Sequence, residues 1–151
     1  MADIRIQEHG FERDEVYNRY DEKIGVAVYD LDDASVRGNL IALKDELKAL
    51  GEKYEALALE LKKDTSVDED GFPNNAKPLA ELNLQCVNEM IAIIDGVFGD
   101  DFCVRAVGNT KNPSVIWEVI AAVMENYGVK AKEEMLKFTN RANRRAGTKR
   151  K

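Results

Sequence analysis

The sequence predicts a mainly α-helical domain of four helices, with a long heptad-patterned first helix and a small N-terminal β-hairpin. Three observations carry this. Apolar residues return at steps of four and three from Val36 to Leu61, helical spacing resumes between Pro78 and Met124, and strict alternation of side chains is confined to the first thirty residues.

The alternating stretches are "DIRIQ" and "KIGVAVYD". In the second, Ile24, Val26 and Val28 fall on one side of a strand and Gly25, Ala27 and Tyr29 on the other, the period of two of a half-buried strand. Its hairpin partner is either residues 3 to 8 or "EVYNRYD" at 15 to 21, and the short polar "DEK" connection favours the second. The hairpin is expected over about residues 3–30.

"DLDDAS" follows, with Asp32 or Asp33 placed to accept from the unpaired N–H groups of a helix start. From there Val36, Leu40, Leu43, Leu47, Leu50, Tyr54, Leu57 and Leu61 form a seven-residue repeat, with Lys, Glu and Asp filling most intervening positions. Over 34–63 such a helix is about 45 Å long, against ~30 Å for the breadth of a small domain. Either part of the seam projects, or the helix bends at Gly51, where glycine costs about 1 kcal/mol. The seam has two uses: it faces the protein's own core, or it pairs with another protein.

"DTSVDEDGFPNNAKP" is a loop by composition and is expected to be solvated and mobile. Set against a calcium loop with Gly71 at the sixth position, it has Ser66 first and Lys77 twelfth, where a bidentate Glu is required, so the match fails at both ends. A second helix is expected from Pro78 to Phe98, with Leu79, Leu82, Cys86, Met90, Ile93 or Ile94, and Val97 on one face. "FGDD" ends it and caps a short helical turn through Val104. Asn112 and Pro113 open a third helix with the apolar face Val115, Ile116, Val119, Ile120, Val123 and Met124, and Trp117 at the edge of the core. "NYG" reads as punctuation before a basic fourth helix carrying Val129, Met135 and Phe138 to about Ala146. Residues 1–146 are therefore expected as one domain, and 147–151 as a mobile basic tip.

Composition excludes several function classes. The 151 residues are 44% hydrophobic and 33% charged, a folding composition without the run of roughly 18–20 apolar residues that spans a bilayer. "MADIRIQEHGFERDE" lacks the apolar centre of a secretory signal, so the chain is expected to stay where it is made. Cys86 and Cys103 form no CxxC or Cys/His cluster and fit a reduced compartment. With His9 as the sole histidine, His triads and multi-His metal sites are excluded by count. The acids of "DLDD", "DEDG" and "GDD" sit at helix starts and loops, where capping and solubility explain them. We expect no enzyme, no metal and no cofactor.

The last twelve residues, "NRANRRAGTKRK", carry six cations, while the net charge is −6. Setting those six aside leaves 16 basic residues against 28 acidic ones, a body charge of −12 that would repel a polyanion. No aromatic is interleaved among the basic residues to stack on bases. A nucleic-acid-associated packaging or regulatory protein using this tail is therefore the alternative rather than the first reading.

Taken in order, "VAVYDLDDAS", "ALKDELKALGEKYEALALEL", "CVNEMIAIIDGVFGDDFCVRAVG", "NTKNPS" and "NRANRRAG" resemble a family of small phage and prophage proteins placed with the tail assembly chaperones of tailed, siphovirus-like bacteriophages. The resemblance covers roughly residues 24–147. It implies a non-enzymatic chaperone or scaffold in the bacterial host cytoplasm. Such a protein would bind the helical tape measure protein, and the tail tube protein as a second client, and would form a homo-oligomer or act singly. A minor virion structural subunit is a further alternative. On this reading the partner-binding residues are Leu43, Leu47, Leu50, Tyr54 and Leu57 on the heptad seam, assisted by Arg141, Arg144 and Arg145.

Overall fold

A computed structural model describes residues 3–5 and 11–148, without the side chains of residue 134 and residues 137–148. The elements run β1 (Phe11–Tyr17), β2 (Lys23–Asp30), α1 (Ala34–Lys62), α2 (Ala76–Phe98), α3 (Phe102–Val107) and α4 (Pro113–Thr148). The described residues are mainly helical, with four helices and an N-terminal two-stranded hairpin. The helices are divided differently from the expectation. The short turn after "FGDD" is a helix of its own, and the expected third and fourth helices are one, continuous through Gly128 and Gly147. A helical glycine costs only about 1 kcal/mol, and many good helix formers flank Gly128, so "NYG" does not break the helix. The chain divides into two compact units, Met1–Ile116 and Trp117–Lys151. Among the described residues no helix is long and apolar enough to cross a membrane.

The strand partner of β2 overlaps the expected 15–21 segment only at 15–17. β1 begins at Phe11 and pairs from Phe11↔Asp30 to Tyr17↔Lys23. The connection is Asn18–Glu22 rather than "DEK". Asn18 closes it: its side-chain oxygen accepts from the N–H groups of Tyr20 (2.8 Å) and Glu22 (3.1 Å), and its own N–H donates to the Glu22 carbonyl at 2.9 Å.

The alternation of β2 holds, and the small-residue side is the buried one: Ala27 and Tyr29 are buried and Ile24 is exposed. The cause is α3, which lies directly on Gly25. A Cβ at Gly25 would fall 2.6 Å from the carbonyl carbon of Ala106, and closer still to the carbonyl oxygens of Arg105 and Ala106. Only the face bearing glycine and alanine admits a helix backbone at that distance. Tyr29 continues this face. Its hydroxyl donates to Asp14 at 2.5 Å, and its ring meets Phe98 edge-on at 6.1 Å, while Phe98 stacks on Phe102 at 4.5 Å.

Asp33, not Asp32, caps α1. Its carboxylate accepts from the N–H and hydroxyl of Ser35 (2.9 and 2.8 Å) and from the N–H of Val36 (3.4 Å). The Ser35 hydroxyl first, then the two N–H groups, hold the Asp33 carboxyl below its ordinary range. A depressed carboxylate contributes stability above its unfolded pKa and loses it as pH falls through the folded value. Asp33→Ala is therefore expected to lower Tm by a few degrees at neutral pH. The deficit should shrink below the carboxylate range, as thermal scans of both proteins across pH would read.

α1 runs unbroken through Gly51 and packs against α2. Val36, Leu40, Leu43, Leu47, Leu50 and Tyr54 are buried on it, and Val87, Met90, Ile94 and Val97 on α2. In the first turn of α3, the Cys103 N–H donates to the Asp95 carboxylate at 3.0 Å. Burial, and then Asp95, push its thiol up to about 12, while the half-buried Cys86 is raised by burial and by Glu89. Because the thiolate is the reactive form, a thiol reagent at mildly alkaline pH should modify Cys86 in the native protein and Cys103 only after unfolding. Peptide mapping of the labelled sites checks this.

Candidate binding end of the helical hairpin

α1 and α2 are antiparallel, as two cross-links show. Lys53 pairs with Glu89 at 3.7 Å, and further along α1 the Asn75 amide donates to the carbonyls of Leu61 (3.2 Å) and Asp64 (3.0 Å). Asn75 is the cap residue of α2, yet its side chain makes no capping bond. Its amide instead reaches the Leu61 carbonyl in the last turn of α1 and the Asp64 carbonyl just beyond it, tying the two helix ends together.

The heptad pattern continues past Tyr54, but burial does not. No residue from 55 to 86 is buried, although the segment carries Leu57, Leu59, Val67, Phe72 and Leu84, all exposed. The core thus occupies the half of the helical hairpin nearest β2 and α3, and in the far half Leu61, Leu79 and Leu82 are half-buried while the five above stay exposed. Five large apolar side chains exposed along one continuous segment make this half of the helical hairpin the candidate interaction region.

The loop between the helices is exposed along 64–74, as a solvated connection is, and it is closed by bonds of its own. Asp68 accepts from the N–H groups of Asp70 and Phe72, both at 2.9 Å, and the Asp68 N–H donates to the Phe72 carbonyl at 2.8 Å. Val67 and Pro73 form a β-bridge, and Asn74 bonds Ser66 through both main chain (3.0 Å) and side chain (2.9 Å). Gly71 takes φ +85°, a left-handed conformation that closes the turn. This bonding holds Phe72 outward, 67% exposed. Asp64, Asp68, Glu69 and Asp70 surround it with negative charge, and no cation lies between residues 64 and 76. The Ser66 hydroxyl, then its N–H, keep the Asp64 carboxyl below its ordinary range.

Of the binding residues chosen on the seam, Leu43, Leu47, Leu50 and Tyr54 are buried, at 0–9% exposure, and are unavailable to a partner in this fold. α2 covers them. A heptad stripe binds whichever helix lies nearest, and here that helix belongs to the same chain. For Tyr54, burial and then a bond to Glu89 push the hydroxyl up to about 12. Leu57, 45% exposed, is the one chosen seam residue at the open end. The side chains of Arg141, Arg144 and Arg145 lie outside the described residues, as does His9. Sequence reasoning missed Val67 and Phe72. Their signal was two large apolar side chains inside a loop otherwise made of Asp, Ser, Gly and Asn. Among the described residues no group of three or more His, Cys, Asp or Glu is placed to hold a metal.

Comparison of the chain with protein-family models, curated proteins and solved structures finds no match.

Proposed function

We propose that this protein is an assembly chaperone or scaffold that holds a helical client at the far end of its α1–α2 hairpin, of the kind that serves tail construction in tailed bacteriophages. The observation that carries the reading is the absence of burial from residue 55 to 86 alongside five exposed large apolar side chains there. A helical client lays its own apolar face on such residues, and an aromatic fixed outward on a bonded loop loses little conformational freedom on binding. The carboxylates around Phe72 favour a client whose apolar face is flanked by cations. The resemblance of the sequence to tail assembly chaperones makes the tape measure protein the first client and the tail tube protein the second, met in the bacterial host cytoplasm. Binding without chemistry is the proposed activity.

Co-expression tests this. A tape measure fragment from the same genome, insoluble alone, should enter the soluble fraction with this protein and co-purify with it. A fragment whose solubility does not change would overturn the reading.

A further inference from the structure

Among the described residues the sheet has two strands, each with one edge that no further strand pairs, and isolated hairpins are marginal in water. In this hairpin one face is covered by α3, and the other presents Ile24, Val26 and Val28 from β2 with Phe11, Arg13, Glu15 and Tyr17 from β1. The four β1 residues on that face are exposed, including Phe11 at 50% and Tyr17 at 52%. Arg13, Asp14, Glu15, Lys23 and Val26 line an open groove of about 520 Å³ there.

Edge strands commonly carry charge to prevent pairing, and "FERDEVY" is heavily charged. Its charges are arranged in a particular way, however. Turned end for end about Asp14, the strand places Tyr17 opposite Phe11 and Glu15 opposite Arg13, and then the same pairs in reverse. Residues opposite one another in an antiparallel pair share a face, so all four pairs fall on the outer side. Shifting the axis to residue 13 or 15 sets Arg against Arg or Glu against Glu. Shifting the register by a single residue sets an outer face beside an inner one. One register alone matches aromatic with aromatic and cation with carboxylate.

We propose that β1 pairs with β1 of a second copy across a two-fold axis at Asp14, joining two hairpins into a four-stranded antiparallel sheet. Glu15 would then lie between Lys23 of its own hairpin, 3.4 Å away, and Arg13 of the second copy. The Tyr17 hydroxyl, and then Lys23, hold the Glu15 carboxyl below its ordinary range, so it is charged at neutral pH. The register irregularity between Val16 and Tyr17 sits at the strand end, outside the Arg13–Glu15 pairs. One contact opposes the assembly: Asp14 meets Asp14 of the second copy. Like charges directly opposite are unfavourable, so the dimer should be weak and reversible.

Sedimentation equilibrium of the full chain from low micromolar to submillimolar concentration tests the inference. The expected result is a reversible monomer–dimer equilibrium, weakened at least about tenfold by Arg13→Glu, a loss of roughly 1.4 kcal/mol. The triple change Arg13→Glu, Glu15→Arg and Lys23→Glu inverts the face and should restore the dimer. Asp14→Asn should tighten it. A wild-type protein that is monomeric throughout would overturn the proposal, as would a dimer indifferent to Arg13→Glu, or one that the triple change fails to restore while circular dichroism shows an intact fold.

Discussion

Replacing Gly25 by alanine is expected to destabilise the protein by about 3 kcal/mol or more, the largest effect of any single methyl group in the first unit. The added Cβ meets the carbonyl groups of Arg105 and Ala106, which are backbone and cannot rotate aside. α3 would have to lift off β2, drawing Phe102 away from the Phe98 ring that meets Tyr29 and uncovering Ala27. Most glycine-to-alanine changes at ordinary backbone angles are neutral or stabilising because they restrict the unfolded chain, so a large loss here reports the contact itself. Urea unfolding reads it as a midpoint lowered by more than about 1 M at unchanged slope. Gly51→Ala is the control. No atom lies within 4 Å of a Cβ there, and a gain of up to about 1 kcal/mol is expected.

The second large effect separates two residues that the heptad pattern treats alike. Leu50→Glu places a carboxylate at a position 9% exposed, beneath α2, and should cost about 4 kcal/mol or prevent folding. Leu57→Glu, seven residues on and 45% exposed, should cost less than about 1 kcal/mol. Parallel urea curves compare them. Equal losses would mean that the core extends to the far end of the helical hairpin.

That pair also shows where the sequence stops informing. Steps of four and three from Val36 to Leu61 marked the helix and its apolar stripe correctly, because periodicity follows from backbone geometry. They carried no information about which surface covers the stripe. α2 packs against α1, and the stripe is buried from Val36 to Tyr54, whereas beyond it Leu57 is exposed and Leu61 half-buried. In the same way, alternation in "KIGVAVYD" identified β2 and its two faces, but propensity points to the Ile24, Val26 and Val28 face as the inner one. The close approach of the α3 backbone selects the face of Gly25 and Ala27 instead, a tertiary event invisible to local pattern. Asn112 and Pro113 marked the start of α4, whereas Gly128 did not end it, since its cost is small against a long run of helix formers. The Asp, Gly and Asn content of residues 64–75 identified a loop. The bonds of Asp68, Ser66 and Asn75, and the outward placement of Phe72 that accompanies them, are not visible in that composition.

The candidate site was therefore half legible. Leu57 was named from the stripe, while Phe72 and Val67, which belong to no period, emerge only from exposure. The most direct measurement is capture of a helical tape measure fragment by the wild-type protein and by a Leu57→Glu/Phe72→Ser double variant, with urea midpoints taken in parallel. The account predicts capture reduced at least about tenfold, with little change in the midpoint, since both side chains are exposed. Undiminished capture by a folded double variant would contradict it.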